Sequence, residues 1–115
     1  MTPENIAALL ERTRFNVAGE KALQADVATR LEAAGVEFRR EVRLSGYDII
    51  DFMAGAVGIE VKVKGSARAI LRQLKRYAAH DEVSSIILLS AVSMGLPSDI
   101  GGKPMRVVSL GRAWL

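Results

Sequence analysis

The 115-residue chain predicts an α/β domain of the α+β kind, a central mixed sheet flanked by helices, on three observations. Apolar residues recur at helical spacing through 20–34 and 67–80. Segments at 36–44, 47–53, 58–64, 85–90 and 105–110 alternate or run continuously apolar, as strands do. After a short leading helix these segments follow one another as helix, three strands, helix, strand, strand. Elements in that order have to bury their apolar faces against one another in a shared core.

A helix over 3–14 comes first, with Pro3 tolerated in its opening turn. Ile6, Leu9, Leu10 and Phe15 supply its apolar side, and residues 16–19 break the pattern. Leu23, Val27, Leu31 and Ala34 carry the second helix over 20–34, which Gly35 closes. Val36, Phe38, Val42 and Leu44 mark a strand over 36–44, and Ser45-Gly46 supplies a turn. Strands at 47–53 and 58–64 follow, joined by a turn at 54–57, so the three strands form an antiparallel meander.

Gly65 then stops the strand, and Ser66 offers a hydroxyl to the open amides of a new helix running to His80. Its apolar positions are Ala67, Ile70, Leu71, Leu74, Tyr77 and Ala78, and its opposite stripe is Arg68, Arg72, Lys75 and Arg76. The continuous run Ile86, Ile87, Leu88 and Leu89 has the length of a buried strand. A helical crossover sets that strand parallel to a partner in the sheet. A polar loop at 93–103, a strand at 105–110 and an apolar tail with Trp114 complete the chain. The whole of 1–115 is one domain, with a core at about 19–92, the leading helix at 3–14 and the last strand and tail at 104–115.

Half the residues are hydrophobic and a quarter charged, an ordinary balance for a globular domain. No apolar run approaches the ~20 residues of a membrane-spanning helix, and the N-terminus lacks the basic start of a signal peptide. Without cysteine there is neither a disulfide framework nor a zinc–thiolate site. A cytoplasmic location without a membrane partner is the expectation. The net charge is only +3, yet Lys62, Lys64, Arg68, Arg72, Lys75 and Arg76 follow one another with no acidic residue between them. Such a concentration favours a polyanion, because each neutralised phosphate releases counterions. A solvated helix face accounts for it equally well on charge alone.

Chemistry concentrates where the second and third strands meet. On an extended chain Glu60 and Lys62 share one face, about 7 Å apart, while Ile59, Val61 and Val63 share the other. Pairing of the two strands brings Asp51 near Glu60. Two carboxylates converging beside a lysine call for a hard divalent cation, Mg²⁺ with Mn²⁺ as a substitute, held through oxygen ligands. Such an ion suits phosphodiester hydrolysis, and a neighbouring lysine can orient water and offset developing charge. Asp48 is a rival ligand, but strand parity turns it from the face that Asp51 uses.

Residues 19–90 resemble the common core of the PD-(D/E)XK nuclease superfamily, the restriction-endonuclease-like αβββαβ fold. Its signature is an Asp closing the second core strand and Glu-x-Lys on the third, here Ile50-Asp51-Phe52 and Ile59-Glu60-Val61-Lys62. Many members add a glutamate on the first core helix, matched by Glu20, and a glutamine on the next, matched by Gln73. The resemblance implies metal ligation by Asp51, Glu60 and the Val61 carbonyl, with Glu20 a further candidate. It implies that Lys62 activates water or stabilises the phosphate, with Glu20 and Gln73 in support. The signature proline before Asp51 is absent. Stand-alone VRR-NUC-type phage nucleases and archaeal Holliday-junction resolvases are the most similar subgroups.

Other residues have plainer readings. His80 reads as a helix-terminal or surface residue rather than a metal ligand. Tyr77 and Trp114 read as core and sheet-packing aromatics before base-stacking ones. Arg39, Arg40 and Arg43, interleaved with Glu37 and Glu41, make a mixed strand edge. The glycines at 95–102 lack a strand-to-helix context, which rules out a phosphate loop. The expectation is therefore a Mg²⁺-dependent DNA endonuclease acting on branched or flapped DNA or Holliday junctions, with Lys64, Arg68, Arg72, Lys75 and Arg76 contacting DNA. The alternatives are an inactive nucleic-acid-binding module with the same fold and an assembly domain with incidental carboxylates. A homodimer is expected to position paired cuts, with the apolar tail after Lys103 in its interface.

Overall fold

A computed structural model describes residues 2–16, 18–92 and 95–110. The elements are α1 (Pro3–Glu11), α2 (Glu20–Ala33), β1 (Arg39–Arg43), β2 (Ile49–Ala54), β3 (Val57–Lys62), α3 (Ala67–Ala78), β4 (Ser85–Ser90), β5 (Asp99–Ile100) and β6 (Lys103–Ser109). The fold is α+β: a six-stranded mixed sheet in the order β1-β2-β3-β4-β6-β5, flanked by three helices. β1, β2 and β3 are antiparallel neighbours, β4 lies parallel to β3 and to β6, and β5 returns antiparallel to β6. The order from α2 to β4 is compatible with an αβββαβ-type core, to which α1 and the β5–β6 pair are added. Among the described residues no helix is long and apolar enough to cross a membrane.

Two apolar layers hold the sheet between the helices. Leu9, Leu10 and Phe15 from the α1 segment and Leu23, Val27 and Leu31 from α2 pack with Phe52, Ile59, Val61, Ile87 and Leu89 on one side. Ile70, Leu74 and Tyr77 of α3 pack with Ile50, Met53, Ile86 and Leu88 on the other. β4 serves both layers, so all six of its residues are buried, as a strand covered on both faces requires.

Several boundaries differ from the sequence expectation, each for a local reason. α1 stops at Glu11 rather than 14, and Thr13 Oγ1 then donates to the Leu9 carbonyl at 2.8 Å. Residues 36–38 are not strand, because Val36 N–H is spent on the Leu31 carbonyl at the end of α2 (2.9 Å). β2 begins at Ile49 rather than 47, since the Leu44 amide closes the preceding turn on the Asp48 carbonyl at 2.7 Å. The turn from β2 to β3 is only Gly55-Ala56, with Gly55 at φ 61°, so β3 begins at Val57 and ends at Lys62. α3 ends at Ala78, two residues short of His80, while Ser66 Oγ caps its start by accepting from Ala69 N–H at 3.1 Å. The loop expected at 93–103 contains a strand. Gly101 and Gly102, at φ 58° and 80°, turn β5 back onto β6, which starts at Lys103. Trp114 and the end of the apolar tail lie outside the described residues.

Candidate active site

Asp51 and Glu60 meet where the β2–β3 ladder gives way. The register pairs Ala54 with Val57, Met53 with Gly58 and Phe52 with Ile59. One step further the carboxylates take over the task of the backbone. Asp51 N–H donates to Glu60 Oε1 at 3.1 Å, and Val61 N–H donates to Asp51 Oδ2 at 2.8 Å. Each carboxylate thus satisfies a main-chain amide of the opposite strand, which fixes both acids while the strands separate.

The remaining carboxylate oxygens have partners from other elements. Gln24 Nε2, on α2, donates to Asp51 Oδ1 at 3.2 Å. Lys62 Nζ lies 3.2 Å from Glu60 Oε2, and Tyr77 OH shares its one proton between the Ile49 carbonyl at 2.9 Å and, more weakly, the same carboxylate oxygen at 3.5 Å. Glu60 is only 3% exposed, whereas Lys62 keeps 19% of its side chain open to solvent. The lysine is the wet edge of an otherwise buried group.

Burial works against charge there. Burial pushes the Asp51 carboxyl above its ordinary value, with the Val61 amide and Lys62 pulling it back. Burial first, and the Asp51 charge second, push Glu60 up to about 8. Burial also raises the Tyr77 phenol, with the charge of Glu60 adding to the effect, so Tyr77 remains a hydrogen-bond donor.

The other residues named from sequence divide into those that join this centre and those that do not. Glu20, in the first turn of α2, acts on Asp51 through its charge. Gln73 lines a groove with Lys62, Lys64, Gly65, Arg72 and Arg76. Arg68 and Lys75, though on the same helix, fall outside that lining. Val61 is engaged through its amide. Asp48, the rival ligand, lies before β2 rather than within it, and His80 and Arg76 bind it, each at 3.0 Å. The His80 hydrogen bond, assisted by Arg76, holds the Asp48 carboxyl below the ordinary carboxylate range despite its burial. Among the arginines of β1, Arg40 stacks over the Phe52 ring at 5.5 Å and Arg43 donates to the Gly46 carbonyl at 2.8 Å.

Sequence reasoning missed two members of the site. Gln24 lies one helical turn after Glu20 and Tyr77 one turn after Gln73, so i,i+4 spacing was the available signal for both.

Among the described residues, no group of three or more His, Cys, Asp or Glu side chains is disposed to hold a metal ion. The pair still has the chemistry of a partial cation site: two oxygen-donor carboxylates, both made harder to ionise by burial, with the charge of Glu20 adding to the effect on Asp51 and that of Asp51 to the effect on Glu60. A hard divalent cation with several water or substrate oxygens in its shell needs no more than one or two carboxylates from the protein. The chain matches no family model, no curated protein and no solved structure.

Proposed function

We propose that this chain is a Mg²⁺-dependent DNA endonuclease of the PD-(D/E)XK type. One observation carries the proposal: Asp51 and Glu60 exchange backbone amides at the end of the β2–β3 ladder, with Lys62 against Glu60. Asp51 and Glu60 would hold the cation, the Val61 carbonyl and Glu20 being its further candidate ligands. A divalent ion there supplies Lewis-acid polarisation of the phosphoryl group and a more acidic water. The chain's own residues do the rest. Gln24 and the Val61 amide orient the Asp51 carboxylate, and Tyr77 holds one edge of Glu60. Lys62, at the solvent-facing side, would offset charge developing on the phosphate. The basic residues Lys64, Arg72 and Arg76 line one groove with Lys62 and Gln73 and would meet the DNA strand there.

Incubation with Mg²⁺ or Mn²⁺ and labelled linear, flapped and four-way-junction DNAs tests this reading. Metal-dependent cutting that Glu60→Ala and Lys62→Ala each reduce by about a hundredfold or more is expected. Absence of cutting on every substrate, or cutting indifferent to both substitutions, overturns it.

A second reading, a nucleic-acid-binding module without turnover, has one observation in its favour. All four carboxylate oxygens of the pair already accept a hydrogen bond from within the chain. Salt-sensitive DNA binding, no Mn²⁺ uptake by calorimetry and no cleavage would select it.

A further inference from the structure

Asp48 is a buried carboxylate that the proposed hydrolysis leaves unused. It is 6% exposed and sits at the foot of the hairpin between β1 and β2, where its own carbonyl accepts from Leu44 N–H at 2.7 Å. Its side chain reaches across to α3: Oδ1 accepts from Arg76 Nε at 3.0 Å, and Oδ2 lies 3.0 Å from His80 Nε2. Both oxygens are therefore committed to bases one helical turn apart. Burying a carboxylate is costly unless it is paired and hydrogen-bonded, and this arrangement does both while doing something to Arg76.

Arg76 is half exposed, with 54% of its side chain open. A long side chain in that position would ordinarily sample many rotamers. Here its Nε is tied down, and among the described residues no acceptor takes its two terminal nitrogens. Those nitrogens belong to a residue lining a groove of about 370 Å³, together with Lys62, Lys64, Gly65, Arg72 and Gln73. Lys64 and Arg72 likewise have no ion-pair partner among the described residues. Lys62 links this groove to the Asp51–Glu60 pair. A guanidinium fixed through Nε and open at both terminal nitrogens matches the bidentate geometry of a phosphate.

We infer that the groove between the end of β3 and α3 is a phosphate-binding subsite, with Arg76 its fixed donor and Asp48 the residue that positions Arg76. Its occupant is a backbone phosphodiester of the DNA strand, next to the one that meets Asp51 and Glu60. The inference rests on the nuclease reading for its substrate. It makes Asp48 a positioning residue for a binding contact, not a catalytic one.

The test measures cleavage of a labelled DNA with Mg²⁺ and, separately, metal-free binding of the same DNA by fluorescence anisotropy across a salt series. It uses the full chain and the variants Arg76→Lys, Arg76→Ala, Asp48→Asn and Asp48→Asn/Arg76→Ala. Arg76→Ala should weaken binding and raise KM about tenfold, the worth of one charge-assisted contact, with kcat nearly unchanged. The slope of log Kd against log salt should fall by about 0.9, the share of one phosphate contact. Arg76→Lys should recover the salt slope but not the full affinity, because it retains the charge and loses the fork. Asp48→Asn should raise KM on its own yet add nothing to Arg76→Ala, since it acts through that residue. A merely structural Asp48 would instead give additive losses or lower kcat, and either result overturns the positioning role. Should Asp48→Asn fail to fold, Arg76→Lys and Arg76→Ala still decide the subsite. Cutting by the unaltered chain that ignores every Arg76 variant sinks the subsite alone. Absence of cutting with Arg76-dependent binding keeps the subsite and sinks the nuclease reading, and absence of both sinks both.

Discussion

Glu60, pushed up to about 8 from an ordinary value of 4.5, takes up a proton when the metal-free chain folds near neutrality. Between those two values the folded state binds more protons than the unfolded one, so stability falls as pH rises through that window. Melting of the metal-free protein should therefore occur at lower temperature at pH 8 than at pH 5.5. Glu60→Gln should flatten that slope and raise the melting temperature at pH 8, as relief of a buried charge requires. Mg²⁺ should stabilise more at pH 8 than at pH 6, where protons compete for the same oxygens. Asp48 has the opposite sign. Its lowered carboxyl contributes stability above the ordinary value of 3.8, and that contribution is lost as pH falls further. Thermal melts of Asp48→Asn against the unaltered chain, at pH 7 and pH 3, should show a difference at the first pH that shrinks at the second.

At the scale of elements, β3 illustrates what a strand can and cannot announce. Alternation alone put Glu60 and Lys62 on one side and Ile59 and Val61 on the other, which is how the structure has them. The end of pairing at Phe52–Ile59 was not legible, because it depends on carboxylates replacing ladder carbonyls across two strands. For Gln24 the spacing after Glu20 was legible but the bond to Asp51 was not, since it exists only once α2 is packed on the sheet. Gly58 adds a constraint of close approach. A Cβ there would stand 2.5 Å from Ile50 Cδ1, inside a filled layer. Gly58→Val should destabilise by about 1–3 kcal/mol, read as a lower urea midpoint with an unchanged slope. Because the obstacle is the tip of one side chain, adding Ile50→Val should restore part of the loss. Ser66→Ala, which removes the α3 cap, should cost about 1 kcal/mol by the same measurement.

The whole molecule separates its stability from its proposed chemistry. α1 packs on β4 and β6, away from the β2–β3 divergence, and Leu10 is fully buried in that layer. Leu10→Ala should lower stability by about 2–5 kcal/mol while leaving any cleavage rate per folded molecule unchanged. Measuring kcat well below the melting temperature checks the separation. The layered architecture was readable because β4 carries a continuous apolar run from Ile86 to Leu89 and α3 is apolar along one stripe. The β5–β6 turn was not, because its two glycines were read against a phosphate loop rather than against a hairpin. The two ends of the sheet also differ in a way that bears on how copies of this chain behave at high concentration. β5, at one border, offers only two residues. β1, at the other, carries exposed Arg39, Arg40, Glu41 and Arg43, with Glu41 in the left-handed region at φ 50°. A strand that is short, bent and crowded with arginines is a poor template for another copy of itself. Fibrils seeded by annealing of this border should stay absent in concentrated, agitated solutions followed by thioflavin fluorescence, and molecules that associate have to meet through some other surface.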